Sequence, residues 1–300
     1  MDLSIAIVSW NTRDLLRQCL GSLPAATGRL AYEAIVVDNG STDGSPEMVR
    51  QEFPEVRLVE NGENLGFVHA TNQAIARSRG RYILLLNSDA VALPHSLERM
   101  VEFMERQPDA GAAGPKLLNP DGSFQASYAH FPTWISEGLS AAGLNRRLYG
   151  PNHPSPPPQA GESRRPVDWV PGTCLLVRRQ VIEQIGALDE TFWMYSEDTD
   201  LCYRIHQAGW RVYYLPDVEV QHFGGASSRQ RRPESVALLY ESKLRFLHKH
   251  RGALPFHLLR GIILWVYLVK AILAMATWWR AAARAQARTA WLVWQRCLGV

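Results

Sequence analysis

Polar side chains with metal-binding or hydrogen-bonding chemistry stand at the ends of two apolar segments. Asp38 follows one segment and opens a turn of small polar residues, while Asn87 and Asp89 follow the run Ile83–Leu86. Because Asn87 and Asp89 are two positions apart, a strand presents both on the same side. A carboxylate there can bond a base or ribose, or hold a divalent cation against a diphosphate. Each segment alone is also typical of an ordinary turn or helix cap.

An acidic cluster opens a later helical pattern, at Glu197, Asp198 and Asp200. The helix dipole favours ionised carboxylates at this end, and an ionised carboxylate in a closed cleft can accept a proton from a hydroxyl group. Capping explains one of the acids, and an i,i+4 ion pair between Asp200 and Arg204 explains another. The pattern therefore leaves Glu197 or Asp198 without a structural role and available as a proton acceptor.

A histidine and a basic loop follow further along the chain. His222 ends a strand-like segment, where a histidine is more often structural than a ligand, and Arg229 and Arg231 follow in a predicted loop. Basic side chains in that loop could neutralise a diphosphate. A solvated run of charge is the commoner explanation for such a loop.

Alternating strand and helix patterns must position these residues. Buried strands are predicted at Ile5–Ser9, Ala34–Asp38, Val56–Glu60 and Tyr82–Asn87, with helices at Arg13–Leu23, Pro46–Phe53 and Gly66–Arg79. Such alternation predicts right-handed βαβ units and a mostly parallel sheet. Ligands of open sheets bind beyond the carboxyl ends of the strands. The site is therefore predicted at residues 9–13, 38–43, 60–66 and 87–90.

The second half of the chain adds a loop and closing elements. The proline-rich segment 145–166 predicts a mobile loop. Beyond it, strands are predicted at Val167–Val170, Cys174–Arg178, Arg211–Leu215 and Val218–His222, and helices at Arg179–Ile185 and Asp198–Ala208.

The charge of the chain is unevenly distributed. The net charge is +3, but residues 1–241 carry 22 basic and 29 acidic residues, and the ten basic residues from Lys243 to Arg296 follow without an acid. A basic tail predicts a polyanionic partner. The tail is also apolar: Ile262–Trp279 would form one helix of about 25 Å, marginal for a full membrane span. Its tryptophans and trailing arginines indicate an interfacial helix on an anionic membrane leaflet. A core or dimer helix is the alternative.

The four cysteines indicate the redox environment in which the protein works. They are scattered and form no C-x-x-C pair, which argues against a zinc ribbon or a disulfide framework. This usage fits a reducing environment. We therefore expect a cytoplasmic protein whose tail associates peripherally with the inner face of the cell membrane.

Taken in order, these segments resemble the family 2 glycosyltransferases of GT-A fold, particularly the rhamnosyltransferase-like branch. The resemblance runs from Ile5 to Gly224, and its most specific stretches are Pro171–Arg178, Gly186–Glu190, Tyr195–Leu201 and Gly209–Trp210. It implies an α/β, Rossmann-like, mixed but mostly parallel sheet flanked by helices, with a C-terminal apolar helical extension. Residues 1–250 would form the GT-A domain, with a nucleotide-binding half about 1–115, an acceptor-binding half about 116–250 and the mobile loop 145–166. Residues 251–300 would form the membrane-associated tail.

The resemblance also implies an activity. It suggests a metal-dependent, inverting hexosyltransferase that moves a sugar from a nucleotide diphosphate sugar to an acceptor hydroxyl in cell-envelope glycan or polysaccharide synthesis. The branch favours dTDP-L-rhamnose as donor, with UDP- and GDP-sugars open, a glycan or lipid-linked glycan as acceptor, and no nucleic acid partner. A nucleotidyltransferase is an alternative, but Ser9–Arg13 lacks its glycine-rich phosphate loop. The other alternative is a sugar-nucleotide-binding protein without turnover, against which the acidic cluster argues.

Residue roles follow from the same resemblance. Asp38 would contact the base and Asn64 would line the nucleotide pocket, and the remaining donor-site residues would be Ser9, Asn11, Asn39, Ser41, Gly66, Asn87 and Ser88. Asp89 and His222 would bind Mg²⁺ or Mn²⁺. Asp198 would be the catalytic base, with Glu197 the second choice. Trp169, Trp193 and Tyr195 would either stack on the acceptor sugar or serve only in packing. Arg229 and Arg231 would face the diphosphate.

Two departures from family patterns refine these roles. Asn87 replaces the first acid of the D-x-D motif, which removes a charge and predicts lower metal affinity. The Q-x-x-R-W signature of processive synthases is absent, which favours the addition of one sugar per binding event.

Overall fold

The protein is described by a computed structural model covering residues 1–149, 154–159, 161–225, 232–275 and 279–300. Strands and helices alternate through the first part: β1 (Leu3–Ser9), α1 (Arg13–Thr27), β2 (Tyr32–Asn39), α2 (Ser45–Glu52), β3 (Arg57–Asn61), α3 (Phe67–Arg77) and β4 (Tyr82–Asn87). There follow β5 (Ala90–Ala92), α4 (Ser96–Arg106), β6 (Ala110–Leu118), β7 (Phe124–Gln125), α5 (Trp134–Ala141) and α6 (Asn145–Tyr149). The last elements are β8 (Arg165–Val167), β9 (Cys174–Arg178), α7 (Arg179–Ile185), α8 (Glu197–Gln207), β10 (Arg211–His222), α9 (Arg232–Arg251), α10 (Ala253–Met275) and α11 (Ala281–Leu298).

One mixed sheet joins the strands of the described residues. Its order is β3-β2-β1-β4-β9-β6-β10-β5, with β7 on β6 and β8 on β10. The four strands β3, β2, β1 and β4 are parallel, as the βαβ alternation predicts. The strand β9 runs antiparallel to both β4 and β6, while β6 and β10 are parallel to each other. The carboxyl ends of β1, β2 and β4 therefore meet at one edge of the sheet.

The closing strand differs from its prediction. Arg211–Leu215 and Val218–His222 form the single strand β10 rather than two strands. A register shift against β6 between Leu215 and Glu219 marks the interruption that the sequence pattern suggested. Pro216 lies within the shift, where a missing backbone N–H is best tolerated. The strand predicted at Val167–Val170 is also shorter, because β8 ends at Val167 and Trp169 makes only an isolated bridge to Ala129.

The chain forms two compact units. The first comprises Met1–His130, Pro154–Glu190 and Glu197–Ser227, and contains the sheet. Its core is built from the fully buried apolar faces of β1, β2 and β4 against α1 and α4, including Ile5, Leu16, Val36, Leu84 and Met100. This packing fixes the strand ends that carry the polar residues.

The second unit comprises Phe131–His153, Thr191–Ser196 and Ser228–Val300. Its helices α9, α10 and α11 pack around buried Leu244, Phe246, Ile263 and Val293, and the indole Nε1 of Trp294 donates to the carbonyl of Leu264 at 3.0 Å. All four cysteines of the chain are buried free thiols. The predicted division of the chain at residue 250 stays a prediction.

The basic tail is partly neutralised inside the second unit. Arg288 and Arg296 on α11 pair with Glu234 and Glu241 on α9, at 2.7 Å in each case. Two of the trailing arginines therefore have ion-pair partners within the second unit. The apolar helix also differs from its prediction, since α10 begins nine residues before Ile262 and α11 is a separate helix. Among the described residues, α10 is the one helix long and apolar enough to cross a membrane.

Candidate active site

Asp89 and His222 lie together at the edge of the sheet. The short strand β5 starts directly after Asp89 and pairs antiparallel with the end of β10, which sets His222 opposite Ala90. The backbone N–H of Phe223 donates to the carbonyl of Asp89 at 2.9 Å. As a result, Nε2 of His222 is 3.2 Å from Oδ1 of Asp89, and the two side chains are only 13% and 10% exposed.

This pair has the geometry of two ligands of one cation. The imidazole Nδ1 is 2.7 Å from Oε1 of Gln125, whereas the buried Nε2 makes no hydrogen bond despite its closeness to Asp89. Two ligand atoms about 2.1 Å from an octahedral Mg²⁺ or Mn²⁺ are about 3 Å apart, so the residues fit a divalent cation. Among the described residues, no group of three or more His, Cys, Asp or Glu side chains is placed to hold a metal ion. The remaining positions would fall to substrate oxygens or water.

Asp198 is held at the start of α8 by three hydrogen bonds. Its Oδ2 accepts from the backbone N–H of Gly172 at 2.9 Å, and its Oδ1 accepts from the N–H and hydroxyl of Thr199 at 2.7 and 3.2 Å. Burial raises the pKa of Asp198, and these hydrogen bonds oppose the rise. Hydrogen bonds to a carboxylate favour its ionised form, so the site supports an anionic Asp198.

Glu197 is the more deeply buried acid of the pair. It is 6% exposed, and its Oε2 has no hydrogen-bond partner. Burial raises the pKa of Glu197 well above its usual range, and the neighbouring charge of Asp198 raises it further. The first proton taken up by the pair therefore belongs on Glu197, which leaves Asp198 as the better proton acceptor.

The loop before β9 connects Asp198 with the end of β4. The backbone N–H of Asn87 donates to the carbonyl of Thr173 at 3.0 Å, next to the Leu86–Cys174 pair of β4 and β9. The adjacent Gly172 donates to Asp198, and a Cβ on Gly172 would lie 3.4 Å from the Cβ of Asp198. Asp198 and Asn87 are thus hydrogen-bonded to two adjacent residues of this loop, Gly172 and Thr173. Asp89 lies two positions after Asn87 in the sequence.

Asp38, at the end of β2, has a buried carboxylate oxygen without a hydrogen-bond partner. Its Oδ2 accepts from the N–H of Ser41 at 2.9 Å, but its Oδ1 is buried without a partner. Burial raises the pKa of Asp38, and hydrogen bonds from Ser41 oppose the rise. The turn is braced by Asn11, whose N–H donates to Oγ of Ser41 and whose Oδ1 accepts from the N–H of Thr42, at 2.9 and 2.8 Å. A buried acceptor of this kind suits an N–H or O–H donor of a ligand.

Several other predicted donor-site residues bond one another. Asn39 donates to Oδ1 of Asn64 at 3.0 Å and to the carbonyl of Gly66 at 3.1 Å. A buried hydroxyl chain runs from Ser9 through Thr12 to Ser88, with oxygens 3.1 and 2.9 Å apart. These bonds hold the strand ends in place, and direct contact of these residues with a nucleotide stays a prediction.

The predicted acceptor residues are spread over both units. Trp169, in the first unit, is half-buried and donates from Nε1 to the carbonyl of His130 at 3.0 Å. Trp193 and Tyr195 belong to the second unit, where Trp193 is 47% exposed and Tyr195 has a backbone φ of +71°. Arg229 and Arg231 lie outside the described residues. The roles of all five residues stay predictions.

Three residues that contribute to the site are not among the individual residues that the sequence predicts for it. Thr12 links two strand ends through its hydroxyl, Gly172 holds Asp198, and Gln125 contacts His222. Thr12 falls inside the predicted segment 9–13, and Gly172 falls inside the family-like block 171–178. Gln125 has no comparable signal.

A comparison with solved structures gives the class of the fold. The mannosyltransferase PcManGT from Pyrobaculum calidifontis, solved in complex with GDP-Man and Mn²⁺, superposes with a TM-score of 0.58 at 16% identity, over 99% of this chain and 86% of that chain. With its mixed sheet and flanking helices, the protein has the GT-A glycosyltransferase fold, as the sequence predicts.

Sequence comparison then gives the family. The glycosyl transferase family 2 matches residues 4–186, and the chain belongs to this family. The N-acetylglucosaminyl-diphospho-decaprenol L-rhamnosyltransferase of Mycobacterium tuberculosis (strain ATCC 25618 / H37Rv) is 35% identical over 269 residues, covering 83% of this chain and 85% of the relative. Rhamnosyltransferase WbbL of Escherichia coli (strain K12) is 26% identical over 255 residues, covering 82% and 93%. The predicted rhamnosyltransferase-like resemblance is confirmed.

Proposed function

We propose that the protein is a metal-dependent, inverting transferase that moves L-rhamnose from dTDP-L-rhamnose to a hydroxyl group of a lipid-linked glycan in cell-envelope synthesis. The observation that carries the proposal is the arrangement of Asp198 and the Asp89–His222 pair around the 172–173 loop. Support for the sugar and the acceptor comes from the relatives' names, one of which is an L-rhamnosyltransferase acting on N-acetylglucosaminyl-diphospho-decaprenol.

The reaction follows from the positions of the acids. A cation held by Asp89 and His222 would supply charge neutralisation at the donor diphosphate. Asp198 accepts the proton of the acceptor hydroxyl while that oxygen bonds to the anomeric carbon. The bond between this carbon and the diphosphate oxygen breaks on the opposite side, and its electron pair leaves with the nucleoside diphosphate. One displacement from the opposite side inverts the anomeric configuration.

The donor base has a matching acceptor in the protein. Oδ1 of Asp38 is buried and without a partner, and it lies at the carboxyl end of β2, the end of the strands where open α/β sheets bind their ligands. An imide N–H, such as the one that thymine and uracil carry, can donate to this oxygen. A guanine N–H can donate as well, so Asp38 supports a base contact and the relatives' names favour dTDP.

The catalytic assignment is tested by paired variants. Asp198→Asn should lower transfer by about 10²–10⁴-fold and leave donor binding within about twofold, because only the proton acceptor is lost. Asp89→Ala should instead remove Mn²⁺-dependent donor binding measured by calorimetry. Glu183→Gln, an exposed carboxylate on α7, is the control and should match the wild type. Normal turnover by Asp198→Asn would overturn the assignment of the base.

The donor and the stereochemistry are tested directly. Thermal shift with Mn²⁺ and a panel of dTDP-, UDP- and GDP-sugars ranks donors, because a ligand at 100 times its Kd stabilises the fold by about 2.7 kcal/mol. Release of nucleoside diphosphate separates a transferase from a protein that only binds. The anomeric configuration of the product is read by NMR, and a product that retains the donor configuration would exclude the single displacement.

A transferase that acts on a lipid-linked acceptor must contact the membrane that holds this acceptor. We infer that α10 provides the contact. Its large apolar side chains are exposed at helical spacing along one side: Leu254, Leu258, Trp265, Leu268, Ile272 and Met275. The segment after Glu241 holds ten basic and no acidic residues, and this charge favours anionic lipid. The helix would lie in the membrane interface, with the catalytic unit on the cytoplasmic side.

Sedimentation with phosphatidylglycerol vesicles tests this surface. Ile272→Gln with Leu273→Gln removes two exposed apolar side chains, each worth about 1.5–3 kcal/mol when buried, and should weaken binding more than tenfold. The control Leu148→Gln alters an equally exposed leucine on α6 and should bind as the wild type does. Equal pelleting of all three proteins would exclude the membrane contact. A solution dimer that the double variant abolishes would assign the face to a second copy.

A further inference from the structure

Gln125 lies behind the histidine of the metal-binding pair. It ends the two-residue strand β7, which pairs antiparallel with the end of β6. Its Oε1 is 2.7 Å from Nδ1 of His222, on the ring side opposite the Nε2 that faces Asp89. The direction of this hydrogen bond decides which imidazole nitrogen carries a lone pair.

The orientation of the Gln125 amide follows from its other partner. Nδ2 of Asn119 donates to Oγ of Ser123 at 2.9 Å and to the carbonyl of Phe124 at 3.3 Å. A carbonyl only accepts, so Nδ2 of Asn119 is the donor atom and Oδ1 faces the other way. That Oδ1 is 3.0 Å from Nε2 of Gln125, which makes Nε2 the donor there and turns Oε1 towards His222.

The proton of His222 is thereby assigned. Because Oε1 of Gln125 can only accept, Nδ1 of His222 must donate. A neutral imidazole with its proton on Nδ1 has its lone pair on Nε2. The Nε2 atom is buried, has no hydrogen-bond partner and lies 3.2 Å from a carboxylate oxygen of Asp89.

The hairpin between β6 and β7 fixes the backbone from which Gln125 contacts His222. Across the turn, the backbone N–H of Asn119 donates to the carbonyl of Ser123 at 2.8 Å. Gly122 has a backbone φ of +80° within this turn. The carbonyl of Gln125 accepts from Oγ of Ser127 at 2.7 Å, and the same hydroxyl accepts from the N–H of Leu117 at 2.8 Å. The Gln125 side chain therefore starts from a fixed backbone.

We infer that Gln125 is a positioning residue: it fixes the tautomer and ring orientation of His222, so that Nε2 is presented to a divalent cation together with Asp89. This inference rests on the proposed metal dependence. Outer-shell partners of a metal-ligating histidine typically change metal affinity by about 10–100-fold when they are removed. Gln125 makes no bond to the cation in this scheme and acts only through His222.

The experiment measures Mn²⁺ affinity of the full chain by the EPR signal of free Mn²⁺, first with Mn²⁺ alone and then with dTDP present. Gln125→Leu should bind Mn²⁺ about 10–100-fold more weakly than the wild type. Gln125→Glu keeps an acceptor at Nδ1 and should restore or exceed wild-type affinity. The control Gln221→Leu removes a neighbouring half-buried amide that bonds the carbonyl of Pro120 instead, and it should leave the affinity unchanged.

A second readout does not depend on metal. Long-range ¹H–¹⁵N NMR of the metal-free protein, with His222→Gln to assign the signal, should place the His222 proton on Nδ1 in the wild type and on a mixture of both nitrogens in Gln125→Leu. A proton on Nε2 in the wild type would overturn the inference even if a variant failed to fold.

The outcomes separate this inference from the proposed function. Loss of Mn²⁺ binding in Asp89→Asn combined with wild-type affinity in Gln125→Leu would overturn the role of Gln125 and leave the metal site standing. Absence of Mn²⁺ binding by the wild type would overturn both.

Discussion

Glu197→Gln distinguishes the two neighbouring acids at the start of α8. In the folded protein Glu197 is buried beside Asp198, and its pKa is raised well above the usual range by burial and by that neighbouring charge. In the unfolded chain a glutamate ionises near pH 4.3, about its reference value. Glutamine has nearly the shape of the protonated acid but does not titrate. The substitution therefore removes a proton-binding step without changing the packing.

The sign and size of the effect follow from proton linkage. Above about pH 4.3 the unfolded wild type loses the Glu197 proton while the folded protein keeps it, so folding takes up a proton and stability falls as pH rises. The loss is at most about 1.4 kcal/mol per pH unit, and it ends when pH passes the raised folded pKa. Below about pH 4 the variant and the wild type should be equally stable. Between pH 5 and 7 the variant should become the more stable protein, by an amount that grows with pH.

Urea unfolding at pH 5, 6 and 7, followed by tryptophan fluorescence, measures this difference. Glu183→Gln, at an exposed position on α7, should show a difference from the wild type that stays constant with pH. Transfer by Glu197→Gln should stay within about tenfold of the wild type, since loss of a general base costs about 10²–10⁴-fold. A pH-independent stability difference, or a variant that loses stability as pH rises, would show that Glu197 is ionised in the fold. A loss of transfer above 100-fold would make Glu197 the base.

Further variants test the support around the site. Arg204→Met removes the guanidinium group whose Nε lies 2.8 Å from the fully buried Asp200 carboxylate, and should cost about 3–5 kcal/mol in urea unfolding, whereas Arg106→Met in an exposed pair should cost under about 1 kcal/mol. Ser196→Gly relieves a φ of +62° and should stabilise the protein by about 1 kcal/mol in thermal melts. Asp38→Ala should raise the donor KM by more than about tenfold, the value of a charged hydrogen bond, with a smaller change in kcat. An unchanged KM would exclude the base contact.

The sheet could be predicted closely where strands are buried on both faces. The bounds predicted for β4 and β9, and for the helix α7, are those of the structure. The residues of the two strands form continuous apolar runs ended by polar ones, and burial on both sides leaves little freedom of register. The edge strand β3 is half-exposed, and its predicted bounds are one residue early at each end.

The meeting of Asp89 with His222 could not be derived from local sequence pattern. His222 lies 133 residues beyond Asp89 in sequence, and the two meet only because β5 pairs antiparallel with the end of β10. Gln125 enters through a two-residue strand too short to have a periodic signal. The family resemblance predicted the role of His222. The contact of Gln125 with His222 could be found only from the geometry of the hairpin between β6 and β7.

The replacement of an acid by Asn87 has a consequence for the order of binding. Among the described residues, Asp89 and His222 would offer a cation one carboxylate and one imidazole, and no third acidic or histidine side chain is placed to join them. One negative charge and two ligand atoms leave most of an octahedral coordination shell unfilled. A nucleotide diphosphate supplies oxygens and the charge that Asn87 lacks. We therefore expect the cation to bind weakly to the protein alone and tightly together with the donor, so that metal occupancy reports the presence of the sugar nucleotide.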